Sequence, residues 1–191
     1  MNDFAPPLKP VDPRHTLPEM EQLVPASKNI EVRKPNMQEV GQIMNLINTY
    51  AQKGIMLARG PQYLYENIRN FVVAVDTSAE VMYADGSKAP LVVACGGLHM
   101  LWDDLAEIRS LATLKAYQRI GIAKQIVGFM KEEAKALGVS QIFTFTLLPA
   151  FFSGLGFQIV DRETIPSKLW NECSKCPKFF CCDETALFLT V

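Results

Sequence analysis

The sequence predicts an α/β protein built on a mixed sheet, and three observations carry that prediction. Runs rich in β-branched and aromatic residues alternate with helical apolar stripes in the order β-α-α-β-β-β-α-β-α-β-β. The early strands follow one another through short turns, which makes them antiparallel neighbours. At Gly121 the apolar period lengthens to that of a helix, so residues 106–147 read as a strand–helix–strand crossover, which joins parallel strands.

Each element has a local reason. Residues 1–28 hold six of the twelve prolines, lack periodicity and are expected to be extended. The folded domain is expected to span 29–191, opening with a short strand, NIEVRKP (29–35), that its proline ends. Asn36 and Glu39 have the spacing of a capping box. Val40, Ile43, Met44, Ile47 and Tyr50 then form a helical stripe that stops at Lys53-Gly54. Pro61 opens a second, short helix over 61–70. FVVAVD (71–76) reads as a strand, 76–90 as a long turn region around Asp85-Gly86 and Pro90, and PLVVACGGLHMLW (90–102) as the next strand. After a turn at 102–104, AEIRSLATL (106–114) is another strand. Ile122, Ile126, Phe129, Met130, Ala134 and Leu137 share one helical face that Gly138 terminates. Residues 140–148 alternate as a strand, 149–156 form a short helix, FQIVD (157–161) a strand, and 184–191 a closing strand.

Composition narrows the function classes. With 49% hydrophobic and 20% charged residues the chain has enough apolar material for one core. A formal net charge of −1 supplies no field for nucleic acid or an acidic membrane, so neither is an expected partner. The longest apolar run carries glycines and is too short to span a bilayer, and the N-terminal stretch lacks the apolar centre of a signal peptide. Five cysteines, four of them within 173–182, do not make an evenly spaced secreted framework, which points to a reducing cytoplasm.

The segment YQRIGIAK (117–124) joins a strand to a helix. The first turn of a helix offers unpaired N–H groups and a partial positive charge, Gly121 allows close approach, and Arg119 and Lys124 add charge. Those features suit a phosphate, though on spacing alone a plain strand–helix turn with a convenient glycine is the simpler reading. Gln118-Arg119-Ile120-Gly121-Ile122-Ala123 also matches Q/R-x-x-G-x-G/A, and FFSGLGFQIVD (151–161) resembles a short helix ending in Gly-Phe. In motif and in order of elements, residues 29–165 resemble the GNAT superfamily of N-acetyltransferases. The resemblance implies a mostly antiparallel sheet with a V-shaped splay between strands 106–114 and 140–147, flanked by helices. It implies acetyl-CoA as co-substrate, with pantetheine along the backbone of Leu111, Ala112 and Thr113 and the pyrophosphate held by Gln118, Arg119, Ile120, Gly121, Ile122, Ala123 and Lys124. It also implies a backbone N–H near the thioester oxygen, and a homodimer is a common state of such domains.

AEIRSLAT (106–113), GIMLAR (54–59) and the late LW…KCPK…CDE block together resemble the short, single-domain N-acetylglutamate synthases. That resemblance implies L-glutamate as acceptor and a place in arginine biosynthesis. Arg59 stands where those enzymes carry a substrate arginine, and a guanidinium fork matches a carboxylate; the alternative is a surface arginine. Ser110 stands where longer synthases often have a pocket cysteine, or is small for packing. Their late Arg-x-Ser-Lys segment reads CSKCPK here, so Lys175 or Lys178 is the substitute cation. Glu107 is the expected general base, acting through water, with an ion pair to Arg109 as the alternative. A tyrosine acid on the late short helix is excluded because Phe152 stands there; Ser153 or water remains. Cys173-x-x-Cys176 has metal-ligand spacing, but four ligands are hard to assemble, so no metal is expected and a reduced thiol cluster beside the pocket is. His99 reads as a hydrogen-bonded structural residue.

Overall fold

The computed structural model describes residues 29–83, 86–165, 173, 176 and 178–191. Seven strands form one sheet: β1 (Ile30–Arg33), β2 (Phe71–Met82), β3 (Lys88–Met100), β4 (Leu105–Thr113), β5 (Gln141–Thr146), β6 (Gln158–Ile159) and β7 (Thr185–Thr190). Their spatial order is β1-β2-β3-β4-β5-β7-β6, and only β4 and β5 run parallel. Helices α1 (Val40–Ala51), α2 (Pro61–Asn67), α3 (Ile122–Ala136) and α4 (Pro149–Ser153) flank it.

The capping box forms as its spacing predicts. The Asn36 side chain accepts from the Gln38 N–H, Glu39 accepts from the Asn36 N–H at 2.8 Å, and the Glu39 carboxylate is clamped by Arg33 at 2.6 Å. α1 buries Val40, Ile43, Leu46 and Ile47 against the sheet. On α3 the buried face is Ile122, Ile126, Val127, Met130 and Ala134; each large aliphatic side chain fully removed from water there contributes about 1.5–3 kcal/mol. Leu137, expected on that face, is 60% exposed because the helix closes at it, and Val139 fills the core instead, its N–H bonding the Ala134 carbonyl at 2.9 Å. Gly96 of β3 lets α3 lie close: a Cβ there would stand 2.8 Å from Met130 Cε. This close seat helps fix the helix N-terminus relative to the end of β4.

The region 76–90 departs from the expected long turn. β2 continues to Met82 and β3 begins at Lys88, with Glu80, Val81 and Met82 paired to Pro90, Ala89 and Lys88. Asp76-Thr77-Ser78 is an irregularity within the ladder, not its end: the register shifts between Asp76 and Glu80. Ser78 donates from its N–H (2.9 Å) and Oγ (2.5 Å) to Asp76, and a Lys88–Glu80 ion pair at 2.8 Å spans the outer part. The 157–161 strand shrinks to two residues, and β7 inserts between β5 and β6.

β4 and β5 share only three register pairs, Leu105–Gln141, Ala106–Ile142 and Glu107–Phe143. Beyond them β4 pairs on one side only, with β3, and bulges where Ser110 takes a left-handed φ of 54°. Thr144 bridges the fork, its hydroxyl donating to the Ile108 carbonyl at 3.0 Å. The splay that the resemblance implied is therefore present.

Candidate active site

The splay opens into a cleft of about 1050 Å3. One wall is β4 from Glu107 to Thr113, the other is β5 with Phe145, the top is the 117–124 loop, and at the foot lie the 56–59 loop, Cys173, Cys176 and residues of 178–184. Of the residues singled out from the sequence, Arg59, Glu107, Ser110, Leu111, Ala112, Thr113, Gln118, Arg119, Gly121, Ile122, Ala123, Lys124 and Lys178 line this one cleft. Ile120 does not: its side chain is 45% exposed and points away. Lys175 lies outside the described residues. Ser153 is exposed and off the cleft, and Phe152 packs at 4% exposure between Phe151 and Phe157.

At the top the chain makes an anion cradle from backbone. Arg119 and Gly121 both have left-handed φ, 64° and 88°. Successive N–H groups in such turns converge on a concavity suited to anions. α3 starts immediately after, with no side-chain cap and no acid in its first turn, so its leading N–H groups face the cleft. A Cβ on Gly121 would meet nothing within 4 Å, leaving space there for a ligand. The loop is tied down from beneath. Tyr117 donates to Asp76 Oδ2 at 2.9 Å, and Gln118 Nε2 donates to Tyr50 Oη at 2.8 Å. Tyr50 in turn donates to the Thr113 carbonyl, joining α1 to the end of β4. Burial pushes the Asp76 carboxyl up, but hydrogen bonds from Ser78, Tyr117 and Ala79 outweigh it and hold the group below the usual carboxylate range. Tyr117 is pushed up to about 12 by burial and by Asp76, so it is a neutral donor.

The foot of the cleft is built from side chains. Arg59 is 8% exposed; Asn48 of α1 brackets its backbone, accepting from its N–H at 2.9 Å and donating to its carbonyl at 3.0 Å. Its guanidinium lies 4.2 Å from the Tyr63 ring centroid, and Nε donates to Ser110 Oγ at 3.3 Å. Two residues chosen 51 positions apart in sequence thus touch. Glu107 is 7% exposed, and Arg109 Nε donates to its Oε2 at 2.7 Å, so the ion pair weighed against a catalytic role is present. Lys178 pairs with Asp183 at 3.4 Å near the opening. His99 sits off the cleft, hydrogen-bonded to Tyr63 Oη and Asn70 Nδ2, each at 3.3 Å, as a structural residue would be.

Sequence reading missed Asn48, Tyr50, Tyr63 and Arg162. An Asn or a Tyr two turns along an amphipathic helix carries no local mark of its partner. Arg162 follows β6 in a one-turn helix, lies over Phe145 at 5.1 Å and donates to Cys182 Sγ at 2.6 Å. The described cysteines are free thiols, and Cys173, Cys176 and Cys182 line the cleft. Cys173 is pushed up to about 11, mainly by burial and then by Glu107, so it is neutral and a poor nucleophile. Among the described residues, no three His, Cys, Asp or Glu side chains are grouped to hold a metal ion, and no helix is long and apolar enough to cross a membrane.

A parallel pair that forks, a left-handed glycine turn and an uncapped helix aimed into the fork define a GNAT acetyltransferase, and the chain belongs to that family: the model of the acetyltransferase (GNAT) family matches residues 43–157. An N-acetyltransferase of Chlorobaculum tepidum is 32% identical over 160 residues, 84% of this chain and 96% of that one. An amino-acid acetyltransferase of Mycobacterium tuberculosis is 33% identical over 141 residues, covering 74% of this chain and 75% of its own. Among solved structures, N-acetylglutamate synthase from Neisseria gonorrhoeae, complexed with coenzyme A and N-acetyl-glutamate, superposes with a TM-score of 0.69 over 85% of this chain and 35% of that one. At 19% identity that likeness is one of fold. Acetyl-CoA is the co-substrate, and the cleft fits it: an unpaired strand edge for amides, a backbone cradle for a pyrophosphate, and Arg119 and Lys124 beside it.

Proposed function

We propose that the protein transfers the acetyl group of acetyl-CoA to the α-amino group of L-glutamate, in the cytoplasm, as an N-acetylglutamate synthase of arginine biosynthesis. The observation that carries this reading is the Arg59–Ser110 contact, a buried guanidinium held on the cleft wall three residues along β4 from Glu107. A buried, oriented arginine recognises a carboxylate well, and Asn48 and Tyr63 hold it in place before a substrate arrives. The kinship to an amino-acid acetyltransferase at 33% identity supports the same class of acceptor.

In this reading Glu107 takes the proton from the substrate ammonium through water, and the uncharged amine attacks the thioester directly. Arg109 Nε and Nη2 both meet Oε2, which orients the carboxylate. Leu111, Ala112 and Thr113 hold the pantetheine arm, and a β4 N–H meets the charge that grows on the thioester oxygen. Phe152 removes the tyrosine acid, so the leaving thiolate is protonated by solvent. Arg59 holds the carboxylate next to the amine, Ser110 fixes Arg59, and Lys178 or Lys175 adds positive field at the opening.

The test is CoA release by the purified protein from acetyl-CoA against the common amino acids and several polyamines. Turnover selective for glutamate is the expected result. Turnover with a polyamine or another amino acid in its place would remove the carboxylate assignment while leaving the coenzyme side intact.

A further inference from the structure

We infer that Tyr50, acting with Gln118, is a positioning residue that closes the Thr113 carbonyl to the coenzyme and so fixes the register in which the pantetheine arm pairs with β4. This rests on the arm lying along β4, as proposed above, and not on which amine is acetylated.

The peptide planes of β4 show where its polar groups point. A trans peptide sets its C=O and its N–H in opposite directions. The Leu114 N–H donates to the Val93 carbonyl of β3 at 2.8 Å, so the Thr113 carbonyl turns away from β3, to the open edge of the fork. The Ser110 carbonyl accepts from the Cys95 thiol of β3 at 3.8 Å, which turns the Leu111 N–H to that same open edge. The Ala112 N–H also faces the Cys95 sulfur, so the Leu111 carbonyl joins them.

Along this edge the carbonyls at both ends are filled by side chains. Near the fork, Ile108 accepts the Thr144 hydroxyl at 3.0 Å. Near the cradle, Thr113 accepts two donors, Tyr50 Oη and, at 3.3 Å, Gln118 Nε2. The other amide hydrogen of Gln118 goes to Tyr50 Oη at 2.8 Å, and the three groups close a ring. A carbonyl oxygen has two lone pairs, and Thr113 has both engaged. Burial above all raises the Tyr50 hydroxyl beyond its usual value, so it stays a neutral donor.

Leu111, between the filled carbonyls, turns one donor and one acceptor to the edge. An amide of the arm therefore finds a partner at Leu111 and a closed door at Thr113. The two positions are two residues apart, a step of about 6.6 Å along the strand. An arm slipped by that step towards the cradle would draw its thioester away from Glu107, and misplacement of a reacting group by even an ångström is costly. Tyr50 and Gln118 thus exclude an unproductive seat.

The experiment compares the wild type with Tyr50→Phe, which reopens one lone pair of Thr113. The two thioesters are acetyl-CoA and acetyl-pantetheine, which has the arm without the pyrophosphate, and the acceptor is whichever amine the wild type turns over. With acetyl-pantetheine, part of the bound arm should take the slipped register, held by one new hydrogen bond. Unproductive binding of that kind lowers kcat and KM together, each by about 3- to 10-fold, and leaves kcat/KM within about twofold of the wild type. With acetyl-CoA, anchored through its pyrophosphate, both constants should move less. Gln118→Ala frees the other lone pair and should give the same pattern with acetyl-pantetheine; it serves if Tyr50→Phe does not fold. A residue that only steadies the cradle loop would do the reverse, raising KM for acetyl-CoA and leaving acetyl-pantetheine alone. That result, or no change with either thioester, would overturn the inference. Calorimetry needs no acceptor, so it stands even if the glutamate assignment fails: pantetheine should bind Tyr50→Phe more tightly than the wild type, and weaker or equal binding would count against the register stop. A wild type from which pantetheine cannot displace CoA would remove the arm from β4, and this inference with it.

Discussion

The two ends of the cleft are made in different ways. The coenzyme end is backbone: the β4 edge, two left-handed residues and the first turn of α3. The end proposed for the acceptor is side chain: Arg59, Ser110, Glu107 and Arg109, with Arg162 and Cys182 brought in from the chain that flanks β6 and β7. Backbone groups are nearly indifferent to which residue bears them, so the coenzyme end can recur across a family while acceptors change. Side chains convey choice, and they need neighbours such as Asn48 and Tyr63 to hold them.

The largest effect should come at the junction of the two ends. Glu107→Gln is expected to lower kcat by about 100- to 10,000-fold with acetyl-CoA binding retained by calorimetry. Unchanged kcat would show that Glu107 is only the partner of Arg109. Next, one substitution at each end should separate them. Gly121→Val places a β-branched residue at φ 88°, a left-handed position that disfavours it by about 1–2 kcal/mol. Its methyls would also enter the cradle, so KM for acetyl-CoA should rise about tenfold or more with KM for the acceptor little changed. Arg59→Ala should do the reverse, raising KM for the acceptor by about 10- to 100-fold and leaving that for acetyl-CoA alone. If either variant moved both constants equally, the two ends would not be independent.

The smallest effect concerns the tether under the coenzyme loop. The Tyr117 hydroxyl titrates near 12 when folded and near 10 when unfolded. A raised folded value means this stability is fully present below about pH 10 and is lost as pH climbs towards 12. Tyr117→Phe should therefore flatten the alkaline limb of the urea midpoint between those values, at the cost of one donor to Asp76.

This contrast also explains what the sequence disclosed. The coenzyme cradle was legible because its turn, its glycine and the change of apolar period lie within a dozen consecutive residues. Arg59, Ser110 and Glu107 were reached by resemblance, and their contacts then had to come from the fold. Asn48 and Tyr63 carried no local signal, since a helical stripe does not mark which nearby loop residue a side chain will hold, and Arg162 matters through Phe145 and Cys182, which are distant in the chain. The continuation of β2 beyond Asp76 was hidden for another reason. Asp-Thr-Ser has turn chemistry, and here that chemistry satisfies a buried carboxylate inside a bulged ladder. The length of β6 and the insertion of β7 beside β5 depend on long-range pairing that periodicity does not encode.

That insertion has a consequence for how the molecule is made. The strands β1 to β4 pair with their sequential neighbours and can assemble as they are synthesised, with α3 following onto β3. β5 has only three partners on β4, and its other edge is filled by β7, residue for residue from Gln141–Thr190 to Thr146–Thr185. Until β7 has been translated, the nascent chain holds the coenzyme cradle and one wall of the fork, with Phe145 and Arg162 lacking the strand that supports their side. A growing polypeptide thus offers a docking place for acetyl-CoA before it has anywhere to seat an amine, and competence for transfer waits on β7.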